Sequence, residues 1–222
     1  MDDDAQGRPL TAYPRPSVAV DTAVLAVRPT DGQLTVLLIR RESRHLDQSE
    51  ALPGTFVHDR QRLAEAVARS LDQKVGLPAD VVPEQLHVFD DPERDSRGWV
   101  MSVAHVVALP WRVVEPILSA RPEVVVDRPI DRARGLPFDH DDIVRRAVAW
   151  LRERYAERPD PAGLLDEPFT MRQLRELHTA VAGEPPSSSD AFRRRMVDHL
   201  VAVKGELLRG TVGKPAQLFR RR

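Results

Sequence analysis

No cysteine occurs among the 222 residues, which excludes disulfides and thiolate metal sites and makes a reducing cytoplasm the expected compartment. No apolar run is long enough to span a bilayer: the longest nearly charge-free stretch, Trp99 to Trp111, is interrupted by His105. The first residues, Met1-Asp2-Asp3-Asp4, are acidic, the opposite of the basic start expected of a signal peptide. The chain has no Walker loop, no G-x-S-x-G elbow and no Rossmann glycine pattern, so nucleophilic and dinucleotide-fold readings have no support. A hydrophobic share of 41% with 30% charged residues describes a globular protein with no membrane partner. Its length suits one large domain or two modest ones.

The net charge of −1 conceals an asymmetry. Residues 1–163 carry 22 Lys and Arg against 27 Asp and Glu, whereas residues 164–222 carry 11 against 7. A basic end on an acidic body predicts a second module with a polyanionic partner. Hydrophobic periodicity agrees. Ser17–Val27 and Leu34–Arg40 read as strands joined by the hairpin signal Thr30-Asp31-Gly32-Gln33, and Leu86–Phe89 and Trp99–Leu109 as further strands. Leu63, Val67, Leu71 and Val75 form the core stripe of one helix, and Ile143–Tyr155 a second. Strands, helix, strands, helix is the pattern of an α/β sandwich. Pro159-Asp160-Pro161-Ala162-Gly163 then ends the helix and is expected to be a linker.

Beyond it, Thr170-Met171-Arg172-Gln173 fits a capping box opening a helix with Leu174, Leu177 and Val181 on its apolar face and Gly183 at its end. A turn through Pro185–Ser189 leads to another helix, capped by Ser189 or Asp190, with Phe192, Met196, Val197 and Leu200 inward. Arg193, Arg194 and Arg195 are expected in its first turns, and at least the first two must face outward. Glu206–Arg209 and Pro215–Phe219 can pair around Gly210-Thr211-Val212-Gly213 as a basic hairpin. Together these spell a winged helix-turn-helix, whose second helix enters the major groove, where guanidinium groups take guanine edges or phosphates. Lys214 and Arg220 would lie on the wing against the backbone, with Arg221 and Arg222 as tail. The bland alternative is a solvated basic helix.

One helical face lacks what its position calls for. Ser70, Gln73 and Lys74 share a face at i, i+3, i+4, behind the loop Leu52-Pro53-Gly54-Thr55-Phe56-Val57. Three carboxylates there would collect a hard divalent cation for phosphoryl chemistry; a hydroxyl, an amide and an ammonium cannot. The loop and Arg69-Ser70-Leu71-Asp72-Gln73-Lys74-Val75-Gly76-Leu77 resemble the Nudix box, in which those three positions are glutamates. The domain is therefore expected to keep its shape without a metal site and not to be an enzyme. The alternative is a working pyrophosphatase using the displaced acids Glu65 and Asp72. In the loop Asp90–Gly98, Arg94 and Arg97 can clamp a phosphate, or be exposed charges paired with Asp91 or Asp95. Phe56 can stack a base or belong to the core. Asp139-His140-Asp141-Asp142 reads as an acidic start to the following helix rather than a metal site.

Taken in order, the degenerate box, Arg94-Asp95-Ser96-Arg97 with Ser102-Val103-Ala104, Phe138-Asp139-His140, Phe169–Leu174, Phe192–Arg195 and Gly213-Lys214-Pro215-Ala216 resemble the NrtR family of Nudix-related regulators of NAD metabolism. The resemblance runs from Ser17 to Phe219. It implies a Nudix-like α/β/α sandwich followed by a C-terminal winged helix-turn-helix domain. The boundaries are a tail at 1–16, a sensing domain at 17–158, a linker at 159–163 and a DNA-binding domain at 164–222. It also implies a dimeric repressor of NAD synthesis or salvage genes that binds double-stranded operator DNA, requires no cofactor and is released by a small nucleotide, ADP-ribose. The ligand-binding residues expected on this reading are Arg40, Gly54, Phe56, Arg69, Arg94 and Arg97. The DNA-binding residues are Thr170, Arg172, Ser189, Arg193, Arg194, Arg195, Lys214 and Arg220. A third reading is a protein-binding adaptor whose basic end meets an acidic partner.

Overall fold

The computed structural model describes residues 9, 12–41, 50–186, 188–208 and 215–222. A seven-stranded mixed sheet forms the first domain: β1 (Ser17–Arg28), β2 (Gln33–Arg40), β3 (Glu50–Ala51), β4 (Gly54–Phe56), β5 (Glu84–Phe89), β6 (Val100–Ala108) and β7 (Val125–Pro129). β1 lies at its centre, antiparallel to β2 and β4 and parallel to β6. Its residues from Ala19 to Ala26 are all buried, because helices cover both sheet faces and leave no polar side to the strand. Ala23 and Leu25 point to one core, Val20, Val24 and Ala26 to the other, as the two-residue period of a strand requires.

α1 (Leu63–Ser70) and α2 (Trp111–Ala120) supply one covering layer, and α3 (His140–Tyr155) the other. Val67, Leu71 and Val75 are buried as the stripe predicts. The helix continues past Ser70 as a widened π turn, Leu71–Val75, and ends at Gly76, whose φ of 85° suits glycine. α2 and the short strands β3, β4 and β7 have no counterpart in the sequence reading. α2 escapes it because Pro116 sits inside the helix, and β3 and β4 are too short to show a period.

The second domain consists of β8 (Phe169–Thr170), α4 (Met171–Ala182), α5 (Ser189–Val197), β9 (Leu200–Leu208) and β10 (Ala216–Arg221), with sheet order β8-β10-β9. Its core is Phe169, Leu174, Phe192, Met196, Leu200 and Phe219. Thr170 caps α4, accepting from the Gln173 amide at 3.2 Å while its own amide donates to Gln173 Oε1 at 2.8 Å; Gly183 closes the helix at φ 85°. Three details differ from the sequence reading. α5 is capped by Ser188, whose hydroxyl accepts from the Ala191 amide at 3.1 Å, rather than by Ser189 or Asp190. Leu200 opens β9 instead of closing the helix, so Arg194 and Arg195 occupy the last turn of α5, where cations favour the helix dipole. The wing strands are longer than the expected hairpin, and the loop Gly210–Gly213 with Lys214 lies outside the described residues.

α3 ends at Tyr155, ahead of the segment 159–163, which is no free tether. Asp160 is completely buried, and its carboxylate accepts from the Tyr155 hydroxyl at 2.5 Å, the Leu164 amide at 2.7 Å, the Leu165 amide at 2.9 Å and the Arg221 guanidinium. Arg221 also grips Glu167 at 2.9 Å, so it is a structural residue, not tail. Leu177 and Val181 of α4 complete the core formed by Val148, Leu151 and Tyr155 of α3. The two domains share this apolar seam.

His178 is sealed in the seam, edge-on to Tyr155 at 5.2 Å and to Phe192 at 5.0 Å. Burial lowers its pKa to about 4, reinforced by Arg195 and opposed by Asp160 and a hydrogen bond with the Tyr155 backbone. Below pH 6.5 the unfolded chain therefore binds a proton that the folded one refuses, so stability falls as pH drops toward 4. Urea unfolding at pH 7 and pH 5 is expected to differ by about 2 kcal/mol from this group, and His178→Phe to remove that difference. Equal pH dependence in the variant would show that the ring is not the titrating group.

Candidate effector and DNA sites

Beside the first half of the central strand β1, Asp21, Arg41, Gly54, Phe56, Lys74, Arg94, Asp95, Arg97, Phe138 and His140 line a cavity of about 180 Å³. Asp21 is its anchor. The Ser102 hydroxyl donates to Asp21 Oδ2 at 2.6 Å, Arg94 lies at 3.6 Å and His140 Nε2 at 3.4 Å from Oδ1. Burial raises the pKa of this carboxyl, but His140, Ser102 and Arg94 outweigh it and bring it to about 2, so it is ionised at neutral pH. His140 Nδ1 accepts the Leu52 amide at 3.1 Å, which leaves the proton on Nε2, facing Asp21.

The glycine of the loop is fixed by this carboxylate. A Cβ at Gly54 would stand 1.8 Å from Asp21 Oδ1 and 2.8 Å from the Val20 carbonyl, so no side chain fits. Lys74 donates to the Gly54 carbonyl. Burial lowers the Lys74 pKa, Arg41 and Arg69 lower it further, and Asp21 opposes them.

Arg94 and Arg97 part company. Arg94 is nearly inaccessible and makes a two-pronged pair with Asp139, Nε to Oδ2 at 2.7 Å. Arg97 pairs with Asp95 at 2.7 Å and 2.9 Å, its guanidinium 5.2 Å from the Phe138 ring centre and 5.9 Å from that of Phe56. Phe56 is exposed at the rim rather than core. Phe138 has φ 60°, a left-handed conformation that strains a bulky residue by about 1 kcal/mol or more and is held by its surroundings. A second cleft of about 420 Å³, lined by Phe89, Asp90, Asp142 and Arg146, shares Arg94 and Phe138 with the first. A nucleotide larger than the first cavity has room to continue there.

Two expected ligand residues lie elsewhere. Arg40 points away and donates to the Pro122 carbonyl at 2.9 Å; its neighbour Arg41, just past the end of β2, lines the cavity instead, on the side that Ile39 faces. Arg69 ties α1 to the glycine loop, through Thr55 Oγ1 at 3.1 Å, the Phe56 carbonyl at 2.8 Å and Gln61 at 2.9 Å, and so positions the site without lining it. Glu65 accepts the Arg62 amide at 3.2 Å at the start of α1, Asp72 is exposed, and neither lines the cavity.

On the winged domain Arg172, Ser189, Arg193, Arg194, Arg195 and Arg220 are all exposed. Thr170 is not: it is buried in its own cap, which leaves nothing for DNA. Arg172 pairs with Glu176 at 2.8 Å, and a groove between α4 and α5 is lined by Arg172, Arg175, Ser189 and Arg193. Arg195 faces a different groove, at the seam with Arg152 and His178.

Comparison with known proteins matches residues 19–155 to the NUDIX domain and residues 161–221 to the NrtR DNA-binding winged helix domain. The chain belongs to the NrtR family. It is 30% identical over 214 residues to the ADPR responsive transcriptional repressor NtrR of Acinetobacter baylyi, covering 94% of this chain and 83% of that protein. Among solved structures it resembles Shewanella oneidensis NrtR complexed with a 27mer DNA, with TM-score 0.74, 28% identity and coverage of 92% and 93%. The NUDIX domain of the same Shewanella NrtR, complexed with ADP ribose, matches 67% of this chain and 94% of that one, with 26% identity and TM-score 0.52. The NrtR architecture of a Nudix domain followed by a winged helix domain is thus present here in full.

Sequence reasoning missed Asp21, Arg41, Phe138 and His140 in this NrtR site. Asp21 carried a readable signal, a lone carboxylate inside an otherwise apolar strand, which burial makes costly unless partnered. His140 stands in sequence beside the acidic start of the following helix, yet it is buried and aimed inward.

Proposed function

We propose that this protein is a transcriptional repressor of NAD synthesis or salvage genes, acting as a homodimer in the cytoplasm and released from operator DNA by ADP-ribose. The observation that carries the reading is one chain in which a cationic cavity and an arginine-bearing winged helix share a buried seam. Four cations, Arg41, Lys74, Arg94 and Arg97, line the cavity against two carboxylates, Asp21 and Asp95, which suits a diphosphate. The relatives' ADP-ribose response and DNA complex support the same assignment.

On this reading residues 17–158 sense the ligand, 159–163 lock the modules together and 164–222 bind DNA. Gly54, Phe56, Arg94 and Arg97, with Asp21, Arg41, Lys74 and Phe138, form the effector site. Arg172, Ser189, Arg193, Arg194, Arg220 and Lys214 of the wing meet DNA. The domain is not catalytic, since Ser70, Gln73 and Lys74 offer no carboxylate and Glu65 is engaged as a cap. With the two modules joined by a buried apolar seam, ADP-ribose acts by favouring a dimer geometry in which the two α5 helices miss successive major grooves. A coupling of about 1–3 kcal/mol gives roughly 5- to 150-fold release.

Fluorescence anisotropy on the protein's own upstream DNA and on NAD-gene promoters, at fixed salt, tests this. Promoter-selective binding weakened at least fivefold by ADP-ribose is the expected outcome. Sequence-blind binding that ignores the ligand would refute the reading.

A further inference from the structure

In the Nudix fold a divalent cation is the implied partner of a diphosphate, and the donor set here does not fit one. Ser70 is buried with its hydroxyl unpartnered, and Gln73 is exposed. Among the described residues no cluster of three or more His, Asp or Glu is placed to hold a metal. Asp21, the carboxylate at the cavity, is already engaged by Ser102, Arg94 and His140.

Lys74 stands instead where the box has its last glutamate. Its ammonium reaches across to the Gly54 carbonyl and lines the cavity. The charges of Arg94 and Arg97 are offset by the carboxylates of Asp139 and Asp95. Among the described residues, the hydrogen-bond partner of Lys74 is a neutral carbonyl and no carboxylate forms a direct ion pair with it, Asp21 acting on it only at longer range, so the ammonium is open to an incoming anion. We propose that the Lys74 ammonium is the counter-charge for the effector's diphosphate, in place of a divalent cation, so that the metal-free ligand is bound and magnesium weakens binding. The proposal deepens the ADP-ribose reading and rests on it for the identity of the ligand. A dication carried in on the diphosphate would face the ammonium as a like charge at short range, with Arg41 beside it.

Calorimetric titration of the full chain at constant ionic strength, with ADP-ribose and separately with inorganic pyrophosphate, in EDTA and in millimolar magnesium, tests it. The wild type should bind both more tightly in EDTA. Lys74→Gln should weaken binding in EDTA by roughly tenfold to a hundredfold, the loss of one charge-assisted hydrogen bond, and abolish the magnesium effect. Lys74→Arg keeps the charge and should retain most of the affinity, which separates charge from folding. Tighter binding in magnesium, or unchanged binding by Lys74→Gln, overturns the proposal. If pyrophosphate shows this dependence on Lys74 while ADP-ribose does not bind, the counter-charge stands and the ADP-ribose reading falls. If neither binds in EDTA, the counter-charge is wrong.

Discussion

Replacing Asp160 by alanine is expected to lower the unfolding free energy by about 3–5 kcal/mol, the range for breaking a buried charged network from one side. Nothing else in the seam gathers so many partners. Its removal leaves the Tyr155 hydroxyl, the Leu164 and Leu165 amides and the Arg221 guanidinium without their acceptor. The Tyr155 hydroxyl cannot respond by ionising, because burial, the largest cause of its raised pKa, remains when the carboxylate is gone. Asp160 also has φ 45°, a backbone state that asparagine and aspartate tolerate better than alanine. Asp160→Asn therefore isolates the charge: it keeps the backbone and one acceptor oxygen, and should fall between wild type and alanine. Urea denaturation checks both values, and a loss below about 1 kcal/mol for alanine would mean that water replaces the carboxylate. Functionally, the asparagine variant should still bind ADP-ribose and DNA but lose much of their antagonism.

Arg94→Met is expected to be comparably severe, about 3–5 kcal/mol, and to abolish effector binding as well. Methionine matches the length of the arginine stem but leaves Asp139 without its two-pronged partner and takes away the cation shared with Asp21. The Asp139→Asn partner change should recover part of the loss, and the double-mutant cycle would give a coupling well above the 0.2–1 kcal/mol typical of exposed pairs. A coupling inside that exposed-pair range would show that the Arg94–Asp139 pair is solvated in solution.

The contrast between these residues explains what the sequence made legible. Regular elements with an apolar period, β1, α1 and α3, could be read because burial on one or both faces dictates their side chains. The capping box of α4 could be read because Thr170 and Gln173 satisfy each other within one turn. Asp160 and Arg221 could not: their pairing spans 61 positions and exists only when the domains are docked. Arg94 was visible as a phosphate ligand, but its partner was sought in the same loop, whereas Asp139 lies 45 positions away at the start of α3. Arg40 and Arg41 are adjacent, and only the strand's register decides which one faces the cavity. The length of α5 was overestimated because Leu200 continues the helical period by chance while serving as the first residue of a strand.

The buried position of Ser70 carries a consequence for descent. A glutamate returned to that site alone would put a larger, charged group where a small hydroxyl is buried, at several kcal/mol unless it is paired. A glutamate returned at Lys74 would turn a donor toward the Gly54 carbonyl into a second acceptor. Each single reversion is thus worse than its starting point, although all together they would rebuild an acidic face. Rebuilding that face one change at a time therefore passes through chains that carry an unpaired buried carboxylate or have lost the donor at the glycine loop.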